Sequence, residues 1–177
     1  MRPSRTRIRR GQSGFSLLEM MIATIILLVG LVAVAQLVPA SILLNYRNRT
    51  DSSALIFAQR ELDQMLDQPL SSTSFTDALL NTCKLGNPTP TNSVQGTSVV
   101  AGLNGQPLID FTSAVSGYNF NYPDPTDPNG TTYDVRWAVI VTGSGGSVSS
   151  KRFILGVRKL GGNGYFQPVT LDTMVVK

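Results

Sequence analysis

Residues 14–38 constrain this chain most. They read Gly14-Phe15-Ser16-Leu17-Leu18-Glu19-Met20-Met21 and stay apolar to Val38. The 24 residues from Phe15 to Val38 would form a helix about 36 Å long, enough to cross a hydrocarbon core of roughly 30 Å with some tilt. Glu19 is the one charge inside the run, and Gln36 is the one other strongly polar group. Five arginines precede the run (Arg2, Arg5, Arg7, Arg9 and Arg10), and no acid does. Such an excess of basic residues predicts a cytoplasmic amino end.

Glu19 is the anomaly. A carboxylate within a membrane segment costs a few kcal/mol on insertion scales, so it is retained for a partner or a task. It lies five residues after Gly14. A cut after Gly14 would leave a new amino terminus on Phe15, one helical turn from Glu19. That amine and a carboxylate at the same depth would neutralise each other, between neighbouring copies more readily than within one. The reading needs a peptidase that cuts before the apolar run.

Gly14, Phe15, Ser16, Leu17, Leu18 and Glu19, behind an Arg-rich leader and ahead of a long apolar run, resemble the class III signal of type IV prepilins and pseudopilins. The resemblance implies cleavage between Gly14 and Phe15, methylation of the new Phe15 amino terminus, and a filament-assembly role for Glu19. It implies as partners a prepilin peptidase/N-methyltransferase, other pilin subunits and the inner membrane. The head would be periplasmic and then part of an extracellular pilus or a periplasmic pseudopilus. Two plainer readings compete. Ala33-Val34-Ala35 would serve as a small-x-small secretory cut site, but the apolar run is long, carries Glu19 and continues past Ala35. A plain single-pass anchor leaves Glu19 without a purpose.

Charge supports a topological role for the arginines. The sequence pI is near 9.5, which invites a nucleic-acid reading. Yet five of the 15 Lys and Arg lie in residues 1–14 and all 11 Asp and Glu lie beyond them, leaving 10 basic against 11 acidic side chains. There is no histidine, so neither a Ser-His-Asp nor a Cys-His site can be built, and no enzyme is expected. Cys83 is alone and forms no internal disulfide; it is a buried thiol or a pairing site between chains.

The expected fold is α+β: a long amino-terminal helix packed on an antiparallel β head. The divisions are a leader at 1–14, a membrane or filament-core helix at 15–38, an amphipathic helix at 39–68 and a head at 69–177. Gly30 is tolerated in a membrane helix. Pro39 should kink the helix or loosen the preceding turn. That turn melts as subunits pack, or it is a simple kink at the membrane boundary. Leu55, Ala58, Leu62, Met65 and Leu66 recur at helical spacing, with Glu61 among the polar residues between them. Pro69 ends the helix. Residues 70–105 read as an irregular connection with a short helix at 75–80 and one strand within 94–103. Strands are expected at 108–114, 118–122, 132–142, 151–159 and 167–176. In the clearest of them Tyr133, Val135, Trp137, Val139 and Val141 share one face, while Asp134, Arg136, Ala138 and Ile140 share the other. Gly143–Ser147 then allows a hairpin, and Gly161-Gly162-Asn163-Gly164 a further turn. The last three strands form a meander whose apolar face the helix stripe covers, with Trp137 in the core.

Tyr133-x-Val135-x-Trp137-x-Val139, the glycine loop and the basic strand 151–159 look like the sheet of minor pilins of the pilus-modification type. Helix residues 54–65 look similar to that subgroup. The paired cysteines near the carboxyl end of many major pilins are missing. The implied function is a minor pilin. The alternative is a minor pseudopilin of a type II secretion system, and from another class a membrane-tethered module binding DNA or a surface. No cofactor is expected. Asp124, Asp127 and Asn129 gather oxygen ligands that suit calcium, but their spacing is not an EF-hand and the prolines explain a rigid turn. Lys151, Arg152, Arg158 and Lys159 would contact DNA in that other class; a solvated strand is the plainer reading.

Overall fold

A computed structural model describes residues 14–89, 92–127, 130–161 and 168–176. The leader to residue 13, Asn129, the turn residues Gly162, Asn163 and Gly164, and Gln167 lie outside the described residues. The chain divides into two units, Met1–Asn45 and Tyr46–Lys177. One α-helix, α1 (Leu17–Leu66), contributes to both, and Pro39 lies inside it. The turn before Pro39 is helical.

The second unit is α+β. Three long strands make its centre: β7 (Thr132–Ser144), β8 (Ser147–Lys159) and β9 (Val169–Val176), paired antiparallel in that order. Gly145 and Gly146, both at positive φ (61° and 80°), form the two-residue turn between β7 and β8. Positive φ at both central positions is the geometry whose twist matches a hairpin, and glycine adopts it without steric cost. The free edge of β7 takes two short strands end to end. β6 (Asn119–Pro123) pairs with residues 132–136, and β3 (Val94–Gly96) pairs with residues 138–140.

Registry turns the period-2 pattern into a core. Val135 faces Phe120 and Val157, Trp137 faces Leu155, and Val139 faces Phe153. All five expected residues of that β7 face are essentially inaccessible, and Ala54, Ala58, Leu62 and Met65 of the helix join the same cluster. The two alanines let helix and sheet approach closely. Leu55, expected on the stripe, is exposed, and Glu61, expected among the polar residues, is buried in it. The buried positions 54, 58, 61, 62 and 65 are one stripe at helical spacing. Trp137 stacks near Tyr118 and Phe120, with ring centroids 6.0 and 5.9 Å away, and its Nε1 donates to the Lys84 carbonyl at 2.8 Å.

Residues 70–110 differ from expectation. In place of a helix at 75–80 there is a hairpin, β1 (Ser74–Thr76) against β2 (Thr82–Lys84). Asp77 decides this, because its Oδ1 accepts from the Leu79 and Asn81 amides and so closes a turn where a helix would have to continue. In place of one strand within 94–103 there are β3 and β4 (Val99–Ala101), and the strand expected at 108–114 shrinks to β5 (Pro107–Ile109), which pairs with β4.

The second face of β7 is therefore covered too. Ile109, Val99 and Phe111 pack on Ala138 and Ile154. Gly156 permits the approach: a Cβ there would lie 2.8 Å from that of Ile109. Asp134 sits under this layer and holds two cations, Arg136 Nε at 3.0 Å and Arg158 at 3.1 Å, while both guanidinium groups lie over the Phe111 ring. Asp134 and Arg136 are buried, whereas the Arg152–Asp172 pair is half-exposed. Removing one partner of a buried pair strands the other charge. Asp134→Ala should therefore destabilise the head by about 3 kcal/mol, and Asp172→Ala by under about 1 kcal/mol. Chemical denaturation of the two full-length variants measures this, and equal losses would contradict it.

Candidate functional site

The first unit presents the amino-terminal signal. Residues 14–16 precede the helix, and the Met20 amide donates to the Ser16 carbonyl at 3.1 Å to open it. Gly14 and Phe15 are exposed, and a Cβ at Gly14 would meet nothing within 4 Å. The Gly14–Phe15 bond is thus outside regular structure and open to attack. Glu19 lies in the first helical turn, where the dipole favours an anion. Thr24 returns its hydroxyl to the Met20 carbonyl at 2.7 Å, so its polar group needs no other partner.

Every described residue from 14 to 45 is exposed, and Glu19 is the one ionisable side chain among them. The amino-terminal part of α1 is long and apolar enough to cross a membrane. A helix that is apolar all round cannot be stable alone in water; it needs lipid or other apolar helices.

The candidates in the head are engaged in structure. Asp124 is buried, and its Oδ1 accepts from the Thr126 amide (2.8 Å) and hydroxyl (2.7 Å). Asp127 accepts from the Thr131 hydroxyl. These bonds close a turn of the Asx kind. The third oxygen candidate, Asn129, lies outside the described residues.

The basic strand is only partly solvated. Lys151 is buried and donates to the Ser72 carbonyl; its ammonium pKa is lowered by burial. Arg152 forks onto Asp172 at 2.9 and 2.5 Å, and Arg158 onto Asp134. Lys159 donates to the Tyr46 hydroxyl. All four cations are engaged within the head; Lys151, being buried, departs from the plainer reading of the strand, while Arg152 and Arg158 stay half-exposed.

A constellation the residue pattern concealed lies between α1 and the β1–β2 hairpin. Glu61, Asp77 and Cys83 are each at least 96 % buried, and a carboxylate oxygen of each acid and the Cys83 Sγ lie within 4.8 Å of one another. The Cys83 thiol donates to Glu61 Oε1 at 3.7 Å. Asp77 spends both oxygens on its own turn: Oδ1 on two amides and Oδ2 on the Asn81 side chain at 2.8 Å. Burial, reinforced by Asp77, raises the Glu61 pKa to about 7 against opposing effects of Cys83 and Arg60. Burial and the two acids also push the Cys83 thiol up, which keeps it protonated and a poor nucleophile. One signal was available in the sequence: Glu61 lies three residues after Ala58 and seven after Ala54, inside the buried stripe.

Compared with known proteins, residues 9–35 match the family described as the prokaryotic N-terminal methylation motif, the class III signal of type IV pilins. No curated protein and no solved structure matches the chain. A long amino-terminal helix on antiparallel sheet is a pilin-like architecture, and with the motif it makes the chain pilin- or pseudopilin-like.

Proposed function

We propose that this chain is a minor pilin, a structural subunit that takes part in assembling or modifying a type IV pilus. A single observation carries the reading: Glu19 stands in the first turn of α1 and is the one ionisable side chain among the described residues 14–45, an exposed apolar stretch. A membrane peptidase cuts between Gly14 and Phe15 and methylates Phe15. The apolar helix holds the subunit in the inner membrane with the head on the periplasmic side. On assembly the helix exchanges lipid for neighbouring helices, a near-neutral transfer for its apolar surface. A charge makes that exchange directional. The amino terminus on one subunit's Phe15 and the carboxylate of a neighbour's Glu19 are both costly in lipid alone and neutralise each other when adjacent. The pairing sets the axial register of the subunits. The role is structural, without a catalytic group.

Glu19→Gln should be cut normally yet incorporate at least about tenfold less, since roughly 1.4 kcal/mol of lost pairing is tenfold in an equilibrium. Immunoblots of sheared filaments against the membrane fraction measure it. Normal recovery of the variant in filaments would refute the charge-pairing role. Wild-type protein that never leaves the cell envelope would instead favour a pseudopilin of a type II secretion system.

A further inference from the structure

The Glu61–Asp77–Cys83 group plays no part in the assembly reading. It consists of two carboxyl groups and a thiol, withdrawn from water, and among the described residues no cation is bonded into it. Asp77 and Cys83 from the hairpin and Arg60 from the helix are the charged or titratable groups that act on Glu61. Arg60 is exposed and is turned to Tyr122, its guanidinium 4.8 Å from that ring and bonded to the hydroxyl at 3.3 Å.

The hairpin around the group is fixed unequally. Its base is held by the Trp137 Nε1 bond to the Lys84 carbonyl, by the Lys84 amide on the Gly117 carbonyl (2.8 Å), and by the Leu85 amide on the Thr73 carbonyl (2.7 Å). Its turn, residues 77–81, meets the helix at Glu61. That turn carries Leu80 at φ 65° and 85 % exposed, beside an exposed Leu79. A left-handed leucine without packing is held in place by the bonds Asp77 makes around it.

We propose that Glu61 and Asp77 form a proton-dependent latch: with one proton held on the pair the hairpin turn is fastened to the helix, and loss of that proton releases the turn and its two leucines. Two buried carboxylates at this separation cannot both be ionised without strong repulsion, so the closed form must keep a proton that the open, hydrated form gives up. The sign follows. Glu61 is raised to about 7 in the closed state, above the usual carboxylate range near 4.3. The closed state therefore binds the extra proton across that window, and closure weakens as pH rises toward 7 and stays weak above it.

Amide exchange of the full chain in detergent tests this, read by mass spectrometry on a peptide spanning residues 74–84. Glu61→Gln keeps the shape and an acceptor for the Cys83 thiol but cannot ionise. It lies outside that peptide, so the wild-type rate divided by the Glu61→Gln rate at each pH cancels the intrinsic chemistry of exchange. That ratio should rise about tenfold per pH unit between pH 5 and 7 and level off above 7. Peptides from β7 should show no such rise. A flat ratio overturns the latch. So does a ratio that falls with pH, the behaviour expected if a cation sat between two ionised acids. Should Glu61→Gln loosen the β7 peptides as well, the wild-type profile corrected with the denatured chain decides alone, by the same criterion.

Discussion

Gly14→Val leaves the chain uncut: the protein accumulates at full length, its leader intact, and none of it enters filaments. The argument rests on where the glycine requirement resides. Nothing among the described residues needs glycine at position 14. The site is exposed, precedes the helix, and a Cβ there meets no atom within 4 Å. The valine chain therefore folds and inserts as the wild type does. The bond to be cut, however, must enter a peptidase site beside the membrane, and a branched Cβ next to the scissile carbonyl is a steric demand on the enzyme alone. The expected effect is all or none, at least about a hundredfold in cutting rate, equivalent to roughly 2.7 kcal/mol in the barrier. Intact mass of the isolated protein measures it. A valine variant that begins at Phe15 would refute cleavage at Gly14, and a wild-type protein that keeps its arginines would refute processing altogether.

Trp137→Ala should unfold much of the head. Trp137 is wholly inaccessible, central on β7 and packed by Tyr118 and Phe120. Truncating a buried aromatic of this size costs about 3–5 kcal/mol. The loss here sits toward the upper end, because the indole also donates to the Lys84 carbonyl and the variant leaves that acceptor unpaired. Single domains have a total stability of about 5–15 kcal/mol. At about 4 °C per kcal/mol for a head of this size, the melting temperature should fall by roughly 15–20 °C. Thermal unfolding of the full chain in detergent, followed by near-ultraviolet tyrosine dichroism, reads the head without the membrane helix. Trp137→Phe, which fills most of the space, should lose less than half as much. A shift under about 4 °C for the alanine variant would show that β7 is not the centre of the core.

Much of this was legible in local pattern. Alternation over residues 133–141 announced β7 and the face it buries, because a strand places every second side chain on one side whatever its neighbours are. The glycine loop announced the hairpin to β8, because its two positive φ angles suit few other residues. Other features depended on side-chain bonds that composition and periodicity do not announce. Phe75-Thr76-Asp77-Ala78-Leu79-Leu80 has the composition of a helix, and an Asp77 side chain reaching Leu79 and Asn81 made it a turn. Asp134, Arg136, Lys151 and Arg158 look like a hydrated face and a basic row. Asp134 and Arg158 pair across the sheet, Arg136 bonds Asp134 two residues earlier on its own strand, and Lys151 reaches a carbonyl far along the chain; a charge is withdrawn from water only where a partner waits.

The amino-terminal signal needs no tertiary context. A glycine, a phenylalanine, an acid one turn later and an unbroken apolar run form a linear string, which in the proposed function a membrane and a peptidase read directly, so sequence alone determined them. The Glu61–Asp77–Cys83 group is the opposite case. Its members are 16 and 6 residues apart, on a helix, a turn and a strand, and none is unusual by itself. Only the packing of the hairpin on the helix brought the two acids together and shut out the water that would have separated their charges.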